Sequence, residues 1–216
     1  MLLKSSITEE KIKANKEYYI SLLRSVKREG IEDLIDYLEN KTDFFTAPAS
    51  TKYHGVFKGG LCEHCLSVYS ILYMLNDVYE NITGEKIDSD SIIISALLHD
   101  LSKTNTYEET YSNKKVYSPT GKKYDEAGNF DWISVKSYKM IDVEDRFLYV
   151  NHEMGSEFIA RQFIQLTIPE SVAICVHHGG MDSLSLPAST VGQNYGKYPL
   201  ALLLHEADLM AAYTCA

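Results

Sequence analysis

The chain has 216 residues, 45% apolar and 24% charged, with a formal net charge of -9. That length suits one domain with a full hydrophobic core, and no run reaches the roughly 20 apolar residues of a membrane span. The acidic balance argues against duplex nucleic acid as a partner, because that affinity rests on Lys and Arg neutralising phosphates.

The opening MLLKSSITEEKIKANKEYY soon becomes charged and lacks the apolar core of an export signal, so the expected location is the cytoplasm. Cys62, Cys65, Cys175 and Cys215 are then expected to stay reduced. Cys62-Glu63-His64-Cys65 has C-x-x-C spacing, yet a zinc ribbon wants a second such pair and a redox motif wants a preceding strand. Small buried cysteines flanking a helical histidine account for it better.

From Thr8 to about Lys27 the sequence reads as an amphipathic helix with Ile12, Tyr19, Leu22, Leu23 and Val26 on its stripe, closed by Gly30. Ile31 to Glu39 repeats the pattern, and residues 43–60 read as a loop that Gly59-Gly60 releases into a helix near Leu61. There His64 shares the apolar face of Val68, Ile71, Leu72 and Leu75, so it points inward. Asp88-Ser89-Asp90 caps the next helix, whose apolar run Ile92 to Leu98 leads into His99-Asp100. An aspartate ending so apolar a helix needs a cation or hydrogen bonds.

Residues 104–140 change character, with turns at Pro119-Thr120-Gly121 and Ala127-Gly128-Asn129, and read as a loop or small β-hairpin. Its tyrosines, Trp132 and lysines suit a lid that stacks bases and holds phosphates; its acids nearly balance the lysines, which suits a plain solvated hairpin equally. Helical patterning returns at Val143 to Val150, His152 to Ile164 and, opened by Pro169, Ser171 to His178. Met181 to Lys197 reads as loop, and Tyr198-Pro199 starts a last helix bearing His205 and Asp208. The expected fold is therefore an all-α helical bundle with a small insertion.

Imidazole and carboxylate together are the donors a divalent metal asks for. His64, His99, Asp100 and Asp208 come from three segments and would bind one cation, leaving His152, His177 and His178 for a second. The set is open to Mn, Fe, Ni, Co or Zn. Lys103, about one turn beyond Asp100, is placed to reach a phosphate, and His205, one turn before Asp208, to contact substrate or a ligand. Tyr53 and His54 stand before the glycines, where they would line a pocket mouth, though no spacing requires it.

Through Gly59-Gly60-Leu61-Cys62-Glu63-His64, Leu97-Leu98-His99-Asp100-Leu101-Ser102-Lys103, Asn151-His152-Glu153, His177-His178-Gly179 and Leu204-His205-Glu206-Ala207-Asp208, the chain resembles the HD-domain superfamily of metal-dependent phosphohydrolases. The likeness covers roughly residues 58–212, after N-terminal helices at 8–40, within a single HD-type domain spanning 1–216. In detail it looks closest to the HD halves of YhaM-type exoribonucleases, whose OB-type module this chain lacks.

The resemblance implies that His64, His99, Asp100 and Asp208 hold a first metal. Asp100 then bridges to a second held by His152 and His177, with His178 either a further ligand or a partner orienting His177. Two such cations would acidify a water and clamp a phosphate oxygen for in-line attack. The expected activity is hydrolysis of a phosphoester of a nucleotide or short oligonucleotide, with Asp100 and Lys103 at the chemistry. Similar HD arrangements serve as di-iron oxygenases or as non-catalytic nucleotide sensors, which are the alternatives.

Overall fold

The computed structural model describes residues 6–147, 151–179 and 187–214. Two helices, α1 (Glu9–Ser25) and α2 (Ile31–Asn40), form an N-terminal pair. The Thr8 side chain accepts from Lys11 N–H and so satisfies one of the free donors that open α1. Gly30 makes the turn at φ +86°, and a Cβ there would stand 1.9 Å from the Phe163 carbonyl oxygen, so only glycine fits.

The central helix α3 (Gly60–Thr83) packs along α8 (Pro199–Thr214) and α4 (Ser89–Leu98). α5 (His152–Arg161) and α6 (Ile168–Cys175) complete the body, α6 lying against α4, α5 and α8. Two apolar clusters fill it. One joins Tyr19, Leu23, Leu34 and Phe44 to Cys65, Leu97, Leu98 and Ile174, and the other joins Val68, Leu72 and Ala96 to Ala173, Leu204 and Ala207. Both draw on α3 and α4, whose residues His64 and His99 are thereby fixed between rigid packed walls.

Polar ties join the N-terminal pair to this body. The fully buried Tyr19 donates its hydroxyl to the Leu97 carbonyl at 2.6 Å. Arg28 makes a bidentate pair with buried Glu170 at 2.7 and 2.9 Å, and Glu170 also accepts from Ser91 Oγ and Thr167 N–H. Thr167 and Glu170 thereby form a capping box for α6, with Pro169 in its first turn. Cys62 and Cys65 are buried, free thiols whose pKa values burial pushes up, that of Cys65 with help from the Asp100 charge. They pack and do not react.

The insertion is a three-stranded antiparallel sheet in the order β1-β3-β2, from β1 (Tyr107–Tyr117), β2 (Lys123–Asp125) and β3 (Gly128–Met140). Its register runs from Tyr107 opposite Met140 to Tyr117 opposite Phe130. Because side chains alternate, Tyr107, Tyr111, Lys115 and Tyr117 share one face with Phe130, Trp132 and Tyr138. On it Lys115 lies 4.1 Å above the Phe130 ring while bonding Asp125.

Two expectations are corrected. Residues expected as loop within 181–197 include α7 (Ala188–Lys197); 180–186 lie outside the described residues. With two glycines and several β-branched or polar residues its propensity is poor, and it is held by buried Val191 and by Tyr195 against α8. The helical pattern at Val143 to Val150 is a single 3-10 turn, Val143–Asp145, among the described residues; 148–150 lie outside them. Among the described residues no helix is long and apolar enough to cross a membrane.

Candidate metal centre

Five helices deliver the donors, and all of the donors but His64 and Asp208 stand at or just beyond helix ends, where the backbone is free to aim a side chain. His64 sits in the second turn of α3, whose start is forced by Gly59 at φ +82° and by Gly60, where a Cβ would lie 2.0 Å from the Gly55 carbonyl oxygen. His99 caps α4, and Asp100 breaks from the helix into the 3-10 turn Leu101–Lys103. That turn folds Lys103 Nζ back onto Asp100 Oδ2 at 2.7 Å. His152 opens α5, while α6 ends at Cys175, short of the expected His178, so that His177 and His178 lie in the turn that follows. Asp208 comes from the middle of α8.

These groups converge. His64 Nε2 lies 3.0 Å from Asp208 Oδ1 and 3.6 Å from Asp100 Oδ2, and His99 Nε2 is 3.3 Å from Asp100 Oδ2. Toward the other Asp100 oxygen, His152 Nε2 stands at 3.9 Å and His177 Nε2 at 3.8 Å. His178 Nε2 is 3.7 Å from Asp208 Oδ2. Three sets of ligand atoms are compact enough to surround an ion: His64, His99 and Asp208; His99, Asp100 and His177; and His152, His177 and His178.

Hydrogen bonding at the far ring nitrogens decides which atoms face inward. His99 Nδ1 lies 2.9 Å from the Ala96 carbonyl oxygen and His177 Nδ1 lies 2.7 Å from that of Ile174. A carbonyl only accepts, so each Nδ1 carries the proton and each Nε2 presents its lone pair. Those Nε2 atoms, with His64 Nε2 and Asp100 Oδ1, are buried and have no hydrogen-bond partner among the described residues. Buried polar atoms are rarely left so. Several lone pairs converging within ion-binding distance of one another is the signature of a cation's donor set, and the residues fit a divalent transition metal.

The charges agree with that fit. Burial opposes ionisation of Asp100, yet Lys103 and His99 beside it hold its carboxyl well below the ordinary range. Asp208 is likewise lowered against burial by His64 and His99. Burial and the neighbouring His99 and His178 rings keep His177 well below its usual value, which favours the neutral ring that a metal needs. Lys103 stays charged despite burial because Asp100 faces it.

Several supporting residues carried no sequence expectation. Ser102 Oγ and Ser156 Oγ both donate to the His152 carbonyl, at 2.6 and 2.8 Å. Buried Glu153 accepts from His178 N–H at 3.0 Å and from Asn151 at 2.9 Å. A backbone-directed role leaves no periodic trace in sequence; the juxtaposition of Glu153 with His152 was its sole signal. Glu63 turns away from the centre to Asn15 and Lys11. His205, expected to contact substrate or a ligand, lies 2.6 Å through Nδ1 from the carbonyl of His177 and stacks on Tyr195, outside all three donor sets. His54, by contrast, lies against His64 with ring centroids 4.5 Å apart.

A dihydroneopterin 2',3'-cyclic phosphate phosphodiesterase of Methanocaldococcus jannaschii is 44% identical over 61 residues, 28% of this chain. The match spans about a quarter of that relative's length, 24%. No solved structure matches the chain. The HD domain family model matches residues 61–212, which hold every donor named above. This chain therefore belongs to the HD domain family.

Proposed function

We propose that the protein is a metal-dependent phosphohydrolase that cleaves a phosphoester of a nucleotide or short oligonucleotide at a dinuclear centre. The observation that carries this reading is the convergence of buried, unsatisfied Nε2 atoms on the two oxygens of one carboxylate, Asp100. His64, His99, Asp100 and Asp208 would hold one ion, and His152 and His177, with His178, the other, Asp100 serving both. Such ions supply Lewis acidity that acidifies water and neutralises phosphate charge.

The chain's own groups complete the site. Lys103 is held at the edge of the centre by Asp100 and offers its ammonium to a phosphoryl oxygen, where charge grows during displacement. Ser102 and Ser156 fix the His152 backbone, and Glu153 fixes that of His178. The aromatic face of the sheet begins at Tyr107, whose hydroxyl is raised in pKa by burial and lowered in part by nearby Lys103. We assign that face to the base of the substrate.

The test is metal analysis of the purified protein joined to a phosphate-release screen over nucleotides, cyclic dinucleotides, 2',3'-cyclic phosphates and short RNA. The name of the archaeal relative supports including the cyclic esters. Expected is metal-dependent release from at least one class, lost by about 10²-fold or more in Lys103→Met. Turnover that consumes dioxygen would replace this reading with an oxygenase.

A further inference from the structure

His54 belongs to none of the donor sets, yet it is built into the same place. It lies on the strap between α2 and α3, and the strap is pinned. Ser50 Oγ donates to the His54 carbonyl at 2.8 Å and accepts from the backbone N–H groups of Tyr53 and His54. Ala49 N–H donates to the Gly55 carbonyl; a Cβ on Gly60 would lie 2.0 Å from that carbonyl oxygen and one on Gly55 2.7 Å from the Ala49 Cβ, so neither position admits a side chain. The ring so positioned tilts 38° against that of His64.

Its Nε2 is buried and has no hydrogen-bond partner among the described residues. His99 and His177 each anchor Nδ1 on a backbone carbonyl and so turn Nε2 toward the donor sets, and His205 anchors its Nδ1 likewise outside them. His54 is a different case: a pinned backbone presents an unsatisfied ring atom within the fields of Lys103, Asp100 and Asp208. An imidazole carries at least one N–H whatever its charge, so the ring has a donor to offer.

We propose that His54 is a substrate-contacting residue, whose imidazole hydrogen-bonds an oxygen of the phosphoryl group that Lys103 also grips. This rests on the phosphohydrolase reading for the identity of the ligand, but on the strap geometry and the orphaned nitrogen for the existence of the contact. His54 would thereby set how tightly the phosphoryl group is held without holding metal itself.

The test uses the full chain loaded with manganese, as wild type, His54→Ala and His54→Gln. Metal stoichiometry, melting temperature and inorganic phosphate affinity by titration calorimetry are measured together. Expected for His54→Ala is unchanged metal content and a phosphate affinity weaker by about tenfold or more, the usual worth of a hydrogen bond to a charged group. His54→Gln, which keeps a donor, should recover part of the loss, and it also serves if the alanine variant misfolds.

Loss of one equivalent of metal in both variants would overturn the proposal by making His54 a ligand. Unchanged phosphate affinity in both, or no phosphate binding by loaded wild type, would overturn it outright. Failure of the hydrolase reading shows separately, as a wild type that binds phosphate and metal but releases none from any ester.

Discussion

The helical body and the three-stranded sheet treat their charged groups in opposite ways. On the sheet, Lys115 meets Asp125, Lys136 meets Glu109 and Lys139 meets Glu108, all at the surface, each cation with a carboxylate at hand. In the body, His64, His99, Asp100 and His177 are buried together with atoms that no group among the described residues satisfies. A surface pair costs little to break because water replaces each partner. A buried set lacking partners is stable only with something bound. The sheet is complete as it stands, whereas the centre has the donors to hold a cation.

Substitutions should therefore divide by region. Asp100→Ala should have the largest effect, abolishing bound metal and lowering phosphoester hydrolysis by about 10³-fold or more, read by metal analysis and phosphate release. Retained turnover would show that the centre is not where chemistry occurs. His152→Ala should come next, halving metal stoichiometry while the first ion stays; an unchanged stoichiometry would remove the dinuclear claim.

Glu170→Gln tests a buried group that is complete, unlike the centre. Burial raises the Glu170 pKa, but the Arg28 pair and the Thr167 and Ser91 donors overcome it, leaving a net lowering below 4.5. A depressed carboxylate adds stability that is fully present above its unfolded pKa and is lost as pH falls through its folded one. The variant should be less stable by about 2 kcal/mol at pH 7, and the gap should close on acidification below about pH 4.5, followed by denaturant unfolding. A gap that stays constant would mean that the ionised pair contributes nothing.

On the sheet, Trp132→Ala should raise KM about tenfold without changing metal content or melting temperature, as loss of one stacking surface would. An unchanged KM would make the sheet a plain solvated hairpin. Lys136→Ala should have the smallest effect, with no measurable change in melting temperature, since both partners are about half exposed.

How much of this was legible follows the same division. Helices with a strong apolar stripe, such as α1 and α2, could be read to within a few residues, because tertiary burial and local periodicity demand the same pattern. The donors were legible too, because an ionisable group inside an apolar run advertises a buried partner. α7 was not: a helix with one buried residue and two glycines has no stripe to read. The inward aim of His177 depends on a carbonyl three residues back, and the nearness of His54 to His64 on a fold of the strap. Neither leaves a spacing in the sequence. The extension of α6 to His178 failed for a related reason, since the local apolar pattern continues through Val176 while the chain turns there to bring two imidazoles round.

The Tyr19 hydroxyl has a consequence for where an autonomous unit begins. The family match starts at residue 61, yet Tyr19 reaches the carbonyl two residues before His99, and Arg28 holds the carboxylate that starts α6. A fragment cut at the family boundary would strand that carbonyl and that carboxylate, and would bare the wall of α4 that α1 packs against. The N-terminal pair acts as a brace against which both the His99 corner and the His177 corner are trued. Shortened proteins meant to isolate the metal centre should begin ahead of α1, at Thr8 or earlier.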